Sequence, residues 1–311
     1  MSRFLRRLWR TFWICAHLID GALLCLFWLV PLRVLHPHAL SRARSRLVRW
    51  WMRVLVRGIG VRVFSKGHVH PAPVLLVANH ISWLDIPCLL ACTEGLFVAK
   101  HEVARWPLIG ILARQIGTLF LERGQGAGNT VQRMRSALVR GERVVLFPEG
   151  TSTDGRDVRP FYARLYQAAT DSGVRVQAIA IGYPCSGGVH PRVPFIGDDN
   201  FVSHLWRLLG EKRIDAHIAF CAPIVTLGCQ RSDLAVRTRN QIIAALRTPT
   251  GKTRTRDAVV THRSPALQNK FIQNRETGTV ATGTRIVPWR NATRTMPPEA
   301  GASSSMGSTR P

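Results

Sequence analysis

His80 and Asp85 stand in the run Asn79-His80-Ile81-Ser82-Trp83-Leu84-Asp85 with four residues between them. That spacing does not stack the two side chains on one face of a continuous helix, but it suits a turn that folds the carboxylate back onto the imidazole. In that arrangement Asp85 holds one ring nitrogen, fixes the tautomer and stabilises the imidazolium. The other nitrogen is then available to take a proton from a hydroxyl, with no serine or cysteine nucleophile required. For the pair taken alone, a histidine that only caps the following helix is the competing reading. A second polar loop, Pro148-Glu149-Gly150-Thr151-Ser152-Thr153-Asp154-Gly155, is dense in residues that tolerate unusual backbone angles. There Glu149 can orient a headgroup, and Gly150 with the hydroxyls of Thr151 and Ser152 can approach an oxyanion or a phosphate. A helix-capped β-turn is the plainer reading. Between these loops, Gly117-Thr118-Leu119-Phe120-Leu121-Glu122-Arg123 puts Arg123 at a strand exit, a natural anion contact.

These groups need elements to hold them. Short apolar runs at 73–78, 96–99, 118–121, 143–147, 176–182 and 216–220 read as buried strands. Helical stretches at 84–92, 108–115, 129–140 and 161–172 alternate with them, and 232–246 reads as a last helix. The expectation is an α/β domain, a mixed sheet covered by helices, over residues 58–247. His80 and Glu149 then sit at strand exits, where α/β sheets commonly carry reactive groups. Residues 248–311, rich in Thr, Arg, Ser, Gly and Pro, read as a basic disordered tail.

Residues 1–57 read as membrane-anchoring helices preceding this domain. The apolar run 12–35 approaches the hydrocarbon thickness and is flanked by Arg3, Arg6, Arg7, Arg10 and Arg33, although Asp20 and His17 interrupt it. Spanning and re-entrant insertion are both open, and a cleaved signal peptide lacks a convincing cleavage site. Arg42, Arg46, Arg49, Arg53 and Arg57 then recur at helical spacing beside Leu47, Trp50, Trp51 and Val54, as an interfacial helix requires. The chain has 311 residues, 46% of them hydrophobic, and a formal net charge of +25, so its surface attracts anions. No RNA-recognition aromatics, zinc ligands or helix-turn-helix pattern accompany that charge, so a nucleic-acid partner is not expected. The seven cysteines lack metal-site or disulfide-framework spacing, which points to no metal and to a reducing compartment.

Taken together and in order, these segments resemble the glycerolipid acyltransferase family, whose members include the lysophosphatidic acid acyltransferases. The family's His-x4-Asp block is similar to NHISWLD, its arginine-ending block to GTLFLER, and its Phe-Pro-Glu-Gly block to Phe147-Pro148-Glu149-Gly150. A weaker block ending in proline is similar to AIAIGYP, with Pro184 as its end. The likeness covers roughly residues 61–246. It implies a thioester acyl donor, acyl-CoA or acyl carrier protein, used as a co-substrate, with no cofactor and no metal. It also implies membrane lipids as partners and an active site at the cytoplasmic face of a membrane. In those terms His80 is the general base, Asp85 its partner, and Arg123, Glu149, Gly150 and Thr151 bind the acceptor. The lysophosphatidic acid enzymes usually have an arginine, where it can meet the phosphate, at the position of Ser152 in this chain, and EGTSTDGRDVRPF is closer to the branch that acylates lyso-ornithine lipids. A 1-acylglycerol-3-phosphate acceptor stands first and a lyso-ornithine lipid second. A non-catalytic basic membrane scaffold is the alternative from another class, disfavoured by the intact His80, Asp85 and Glu149.

Overall fold

A computed structural model describes residues 2–24, 27, 41–105, 109–121 and 126–248. The strands are β1 (Val61–Lys66), β2 (Val74–Ala78), β3 (Leu96–Lys100), β4 (Leu119–Leu121), β5 (Arg143–Leu146), β6 (Arg175–Gly182), β7 (Pro184–Cys185), β8 (Gly188–Val189) and β9 (Ile214–Phe220). β7 and β8 form a small hairpin. The other seven make one sheet in the order β1-β9-β6-β2-β5-β3-β4. Pairing is parallel throughout except between β6 and β9, so β1 and β9 run against the remaining five. The expected mixed sheet covered by helices is the observed architecture.

The helices are α1 (Arg3–Leu24), α2 (Ser41–Ile59), α3 (Asp85–Cys92), α4 (Ile109–Gln115), α5 (Gly126–Val139), α6 (Gln167–Ser172), α7 (Phe201–Leu209) and α8 (Arg231–Arg247). Every residue of β2 is fully buried, because the sheet carries a core on each face. On one face Leu76, Ala78, Ile179 and Ile181 pack with Ile14, Val56, Ile59, Leu84, Leu89 and Leu208, which brings α1, α2, α3 and α7 together. On the other, Leu75, Val77, Val144 and Leu146 pack with Met134, Leu138, Ala168, Leu234 and Ile242 from α5, α6 and α8. Each such aliphatic side chain contributes about 1.5–3 kcal/mol on burial. The two cores therefore fix the strand β2 that aims the residues following it.

The N-terminal segment differs from its reading as a lipid-flanking run. α1 starts at Arg3, well before the apolar stretch, and its Arg6 and Arg10 turn inward. Arg6 Nη2 donates to Gly210 O at 2.6 Å, and Arg10 Nη1 donates to Glu211 O at 2.7 Å and to Leu209 O at 3.2 Å. These guanidinium groups satisfy carbonyls at the C-terminal end of α7, where positive charge is favoured. The His17 ring lies between Trp13 and Trp51, with centroids 4.9 and 4.3 Å away. Gly58 admits the Trp13 ring where a Cβ would lie 1.8 Å from it, so α1 and α2 can approach closely. What α1 turns outward is largely apolar: Phe4, Leu5, Leu8, Trp9, Phe12, Ile19 and Leu23 are all exposed, with Asp20 among them.

In α2 the two tryptophans part company, Trp51 buried and Trp50 exposed. Val48, Met52, Leu55, Val56 and Ile59 face the core, and Arg53 of the basic stripe donates through Nε to Ala91 O at 2.9 Å. No helix among the described residues is long and apolar enough to cross a membrane. Residues 25, 26 and 28–40, which include the last part of the apolar run 12–35, and residues 249–311 of the expected tail lie outside the described residues.

Candidate active site

β2 and β5 are parallel neighbours in register, Val77 opposite Leu146, so the chain leaves both strands at the same edge of the sheet. This brings His80 and the 147–155 loop together, although about seventy residues separate them in sequence. Asn79 stitches the exit of β2 to β6. Its Nδ2 donates to Ile181 O at 2.9 Å and its Oδ1 accepts from Ile181 N at 2.7 Å, continuing the ladder through a side chain.

The turn from His80 into α3 folds the carboxylate back as the spacing suggested. Asp85 Oδ2 accepts from His80 Nδ1 at 2.8 Å, from Ile81 N at 2.7 Å and from Ser82 N at 2.9 Å. Its Oδ1 accepts from the Tyr183 hydroxyl at 2.7 Å. The carboxylate is fully buried, at the first position of α3, where the helix N-terminus favours negative charge. A carboxylate facing Nδ1 assigns the proton to that nitrogen. Nε2 makes no hydrogen bond among the described residues, and the imidazole is 19% exposed. The ring is held flat against Phe147, with centroids 4.2 Å apart.

The second loop grips the backbone of His80 from both sides. Glu149 Oε1 accepts from His80 N at 2.8 Å and Oε2 accepts from Arg159 N at 3.0 Å. Burial lifts the Glu149 carboxyl above the usual glutamate range, and these two backbone donors oppose the lift. Thr153 donates to His80 O through both its backbone nitrogen, at 2.9 Å, and its hydroxyl, at 3.1 Å. Gly150 adopts φ +71°, a left-handed turn that lets the loop double back, and a Cβ there would meet the Tyr162 ring at 2.7 Å.

The expected binding residues thus fall in different places. Glu149 is a buried brace between two backbone segments. Gly150 and Thr151 are exposed beside the imidazole loop. Ser152 donates its hydroxyl to Phe195 O, tying the loop to the strap between β8 and α7, while Phe195 N donates to Ile81 O at 3.0 Å. Arg123 lies outside the described residues, two positions beyond the end of β4. Asn79, Thr153 and Tyr183 were not singled out in the sequence. Asn79 and Thr153 lie within the recognised runs, and polar residues at buried strand exits are the signal that marks them. Beneath the strap, Trp83 Nε1 donates to His204 Nδ1 at 3.0 Å, while His204 Nε2 lies 3.0 Å from Pro194 O. With Nδ1 accepting, Nε2 carries the proton and donates to that carbonyl. Burial lowers the pKa of this imidazole, in keeping with a neutral ring.

The arrangement can accept a proton at Nε2 of a partly exposed imidazole while a buried carboxylate stabilises the charge that results. Residues 60–182 match the protein family described as Acyltransferase. The chain is 42% identical over 231 residues to the lyso-ornithine lipid O-acyltransferase of Pseudomonas aeruginosa, a match covering 74% of this chain and 90% of that protein. It is 35% identical to the Brucella abortus protein of the same name, covering 70% and 88%. It is 33% identical to a 1-acyl-sn-glycerol-3-phosphate acyltransferase of Neisseria meningitidis, covering 59% and 72%. Among solved structures, the 1-acyl-sn-glycerophosphate acyltransferase PlsC of Thermotoga maritima superposes with a TM-score of 0.60, covering 78% of this chain and 94% of that one. At 19% identity this is a likeness of fold.

Proposed function

The chain belongs to the acyltransferase family, and on that premise we propose that it transfers a fatty acyl group from acyl-CoA or acyl carrier protein to the free hydroxyl of a lysolipid. The observation that carries the reading is the 2.8 Å link from His80 Nδ1 to the buried Asp85 carboxylate, which leaves Nε2 of a partly exposed imidazole free to accept a proton. Nε2 removes the proton of the acceptor hydroxyl as its oxygen attacks the thioester carbonyl. The tetrahedral oxyanion collapses, the carbon–sulfur bond breaks, and the departing thiolate takes the proton from the imidazolium. Asp85 stabilises that imidazolium throughout. Gly150 and Thr151, at the exposed rim, and Arg123 are the groups assigned to the acceptor, and Glu149 serves it indirectly by holding the His80 backbone.

Of the two acceptors, a lyso-ornithine lipid is favoured. The Pseudomonas aeruginosa and Brucella abortus relatives of that name match over more of their length than the Neisseria meningitidis glycerophosphate enzyme does. The position at which the resemblance expects a phosphate-binding arginine holds Ser152, whose hydroxyl is engaged by the strap. The enzyme works at the membrane surface, with α1 lying in the interface. Its outward Phe4, Trp9, Phe12 and Leu23 support this, since Arg6 and Arg10 are turned inward to the end of α7. The cytoplasmic face suits the free cysteines of the described residues. The test is acyl transfer by the purified protein in vesicles, with lyso-ornithine lipid and lysophosphatidic acid in parallel against both donors. Faster turnover of lyso-ornithine lipid supports the reading, and preference for lysophosphatidic acid reverses the choice of acceptor.

A further inference from the structure

Three of the four donors to Asp85 come from its own turn: His80 Nδ1, Ile81 N and Ser82 N all converge on Oδ2. They fix where one oxygen sits and leave the other oxygen to be held by something else. Tyr183 reaches Oδ1 at 2.7 Å from the exit of β6, 98 positions away in sequence. It is the one donor to this carboxylate, among the described residues, that does not belong to the His80–Asp85 turn. Its backbone is anchored on both sides, by the pairing of Gly182 with His217 and by His190 N donating to Tyr183 O at 2.7 Å. Both groups are almost wholly buried, at 1% for the tyrosine and 0% for the aspartate. The hydroxyl therefore has no water to replace the carboxylate. Burial and the Asp85 charge also push the phenol well above its ordinary range, so it remains a protonated donor. The thiol of Cys88, one turn along α3, lies against both groups and is likewise held neutral by burial.

We propose that Tyr183 is a positioning residue for acyl transfer, its phenol donating to Asp85 Oδ1 so that Oδ2 stays aimed at His80 Nδ1 and the carboxylate's charge is shared between the two links. The inference rests on the acyl-transfer reading above. A donor on Oδ1 draws electron density from the carboxylate, so loss of the hydroxyl concentrates the charge on the link to His80 while freeing the carboxylate to rotate. Stronger donation does the opposite. A residue that only filled space would do neither.

Two replacements separate these cases: Tyr183→Phe, which removes the donor, and 3,5-difluorotyrosine at position 183, which keeps the ring and strengthens the donor. The readouts are kcat and KM for the lysolipid, and the low-field proton resonance of the His80 Nδ1–H, assigned by its loss in His80→Ala. We expect Tyr183→Phe to lower kcat by about tenfold, with KM within about twofold, as loss of one buried hydrogen bond in the transition state would do. Its resonance moves downfield, whereas that of the difluoro protein moves upfield from the wild-type position. Opposite movements carry the proposal, and if the phenylalanine protein is too unstable to assay, the upfield movement of the fluorinated protein from the wild-type position carries it. A resonance unmoved by fluorination, or a Tyr183→Phe enzyme with wild-type kcat, overturns it. A wild-type protein that acylates no lysolipid counts against the function instead, and the resonance still judges the link between Tyr183 and the pair.

Discussion

Replacing Asp85 by asparagine removes a charge while keeping nearly the same shape, and the geometry fixes what should follow. Three donors converge on Oδ2, so the asparagine oxygen must take that position and keep the bonds from His80 Nδ1, Ile81 N and Ser82 N. The amide nitrogen then faces the Tyr183 oxygen, which can turn to accept from it. Folding should therefore survive at a cost of about 1–2 kcal/mol, one rearranged bond. Catalysis should not. The hydrogen bond from an imidazolium to a charged acceptor is worth about 1.5–3 kcal/mol, and each 1.36 kcal/mol is a factor of ten, so kcat should fall by about 10- to 150-fold. Asp85→Ala separates the two effects, because it strands two backbone N–H groups and a phenol in a dry site at about 1–3 kcal/mol each, and should unfold the domain. The assay is steady-state acyl transfer beside urea unfolding monitored by tryptophan fluorescence. An Asp85→Asn enzyme that retains kcat within twofold of wild type while folding normally would refute the argument that this carboxylate stabilises charge on His80.

Glu149→Gln leaves only one acceptor oxygen for two backbone donors, His80 N and Arg159 N, so we expect a loss of about 1–3 kcal/mol of stability together with lower kcat, measured by unfolding and turnover. Glu149 is also lifted by burial, so the folded state holds its proton more tightly than the unfolded chain does. Its contribution is present below the ordinary glutamate range and is lost as pH rises through the lifted value. The stability of wild type minus that of Glu149→Gln should therefore decline as pH rises above the ordinary glutamate range. Gly150→Ala sets a side chain at φ +71° against the Tyr162 ring, which should cost about 1–2 kcal/mol and slow turnover by displacing the loop. Trp9→Asp with Phe12→Asp should leave thermal unfolding nearly unchanged, since both side chains are exposed, and weaken sedimentation with vesicles by about tenfold or more. Undiminished vesicle binding would remove α1 from the interface.

The elements that carry the site were legible because their patterns are local. Buried runs such as Val74–Ala78 and Arg175–Gly182 are apolar at nearly every position, as strands covered on both faces must be, and their boundaries fall within a residue or two of expectation. The turn of Asp85 onto His80 was legible for the same reason, since its bonds span at most five residues. β1 was not read as a strand, because an edge strand with Arg62, Ser65 and Lys66 exposed or half exposed lacks a clear apolar pattern. α7 was missed as well, although Asn200 caps it through Val202 N and Ser203 N. The direction of the α1 arginines was hidden because helical spacing defines a face and says nothing of its neighbour. α7, which receives them, lies some two hundred residues on. Tyr183 and the bracing role of Glu149 depend on which strands become neighbours, a property of the sheet order that no local window contains.

The most direct measurement is the rate of acyl transfer to lyso-ornithine lipid by His80→Ala and by wild type, in the same vesicles and with the same thioester donor. A general base of this kind contributes about a hundredfold or more, so the account predicts a loss of at least that size with the fold intact by circular dichroism. A folded His80→Ala protein that transfers the acyl group at the wild-type rate would contradict it.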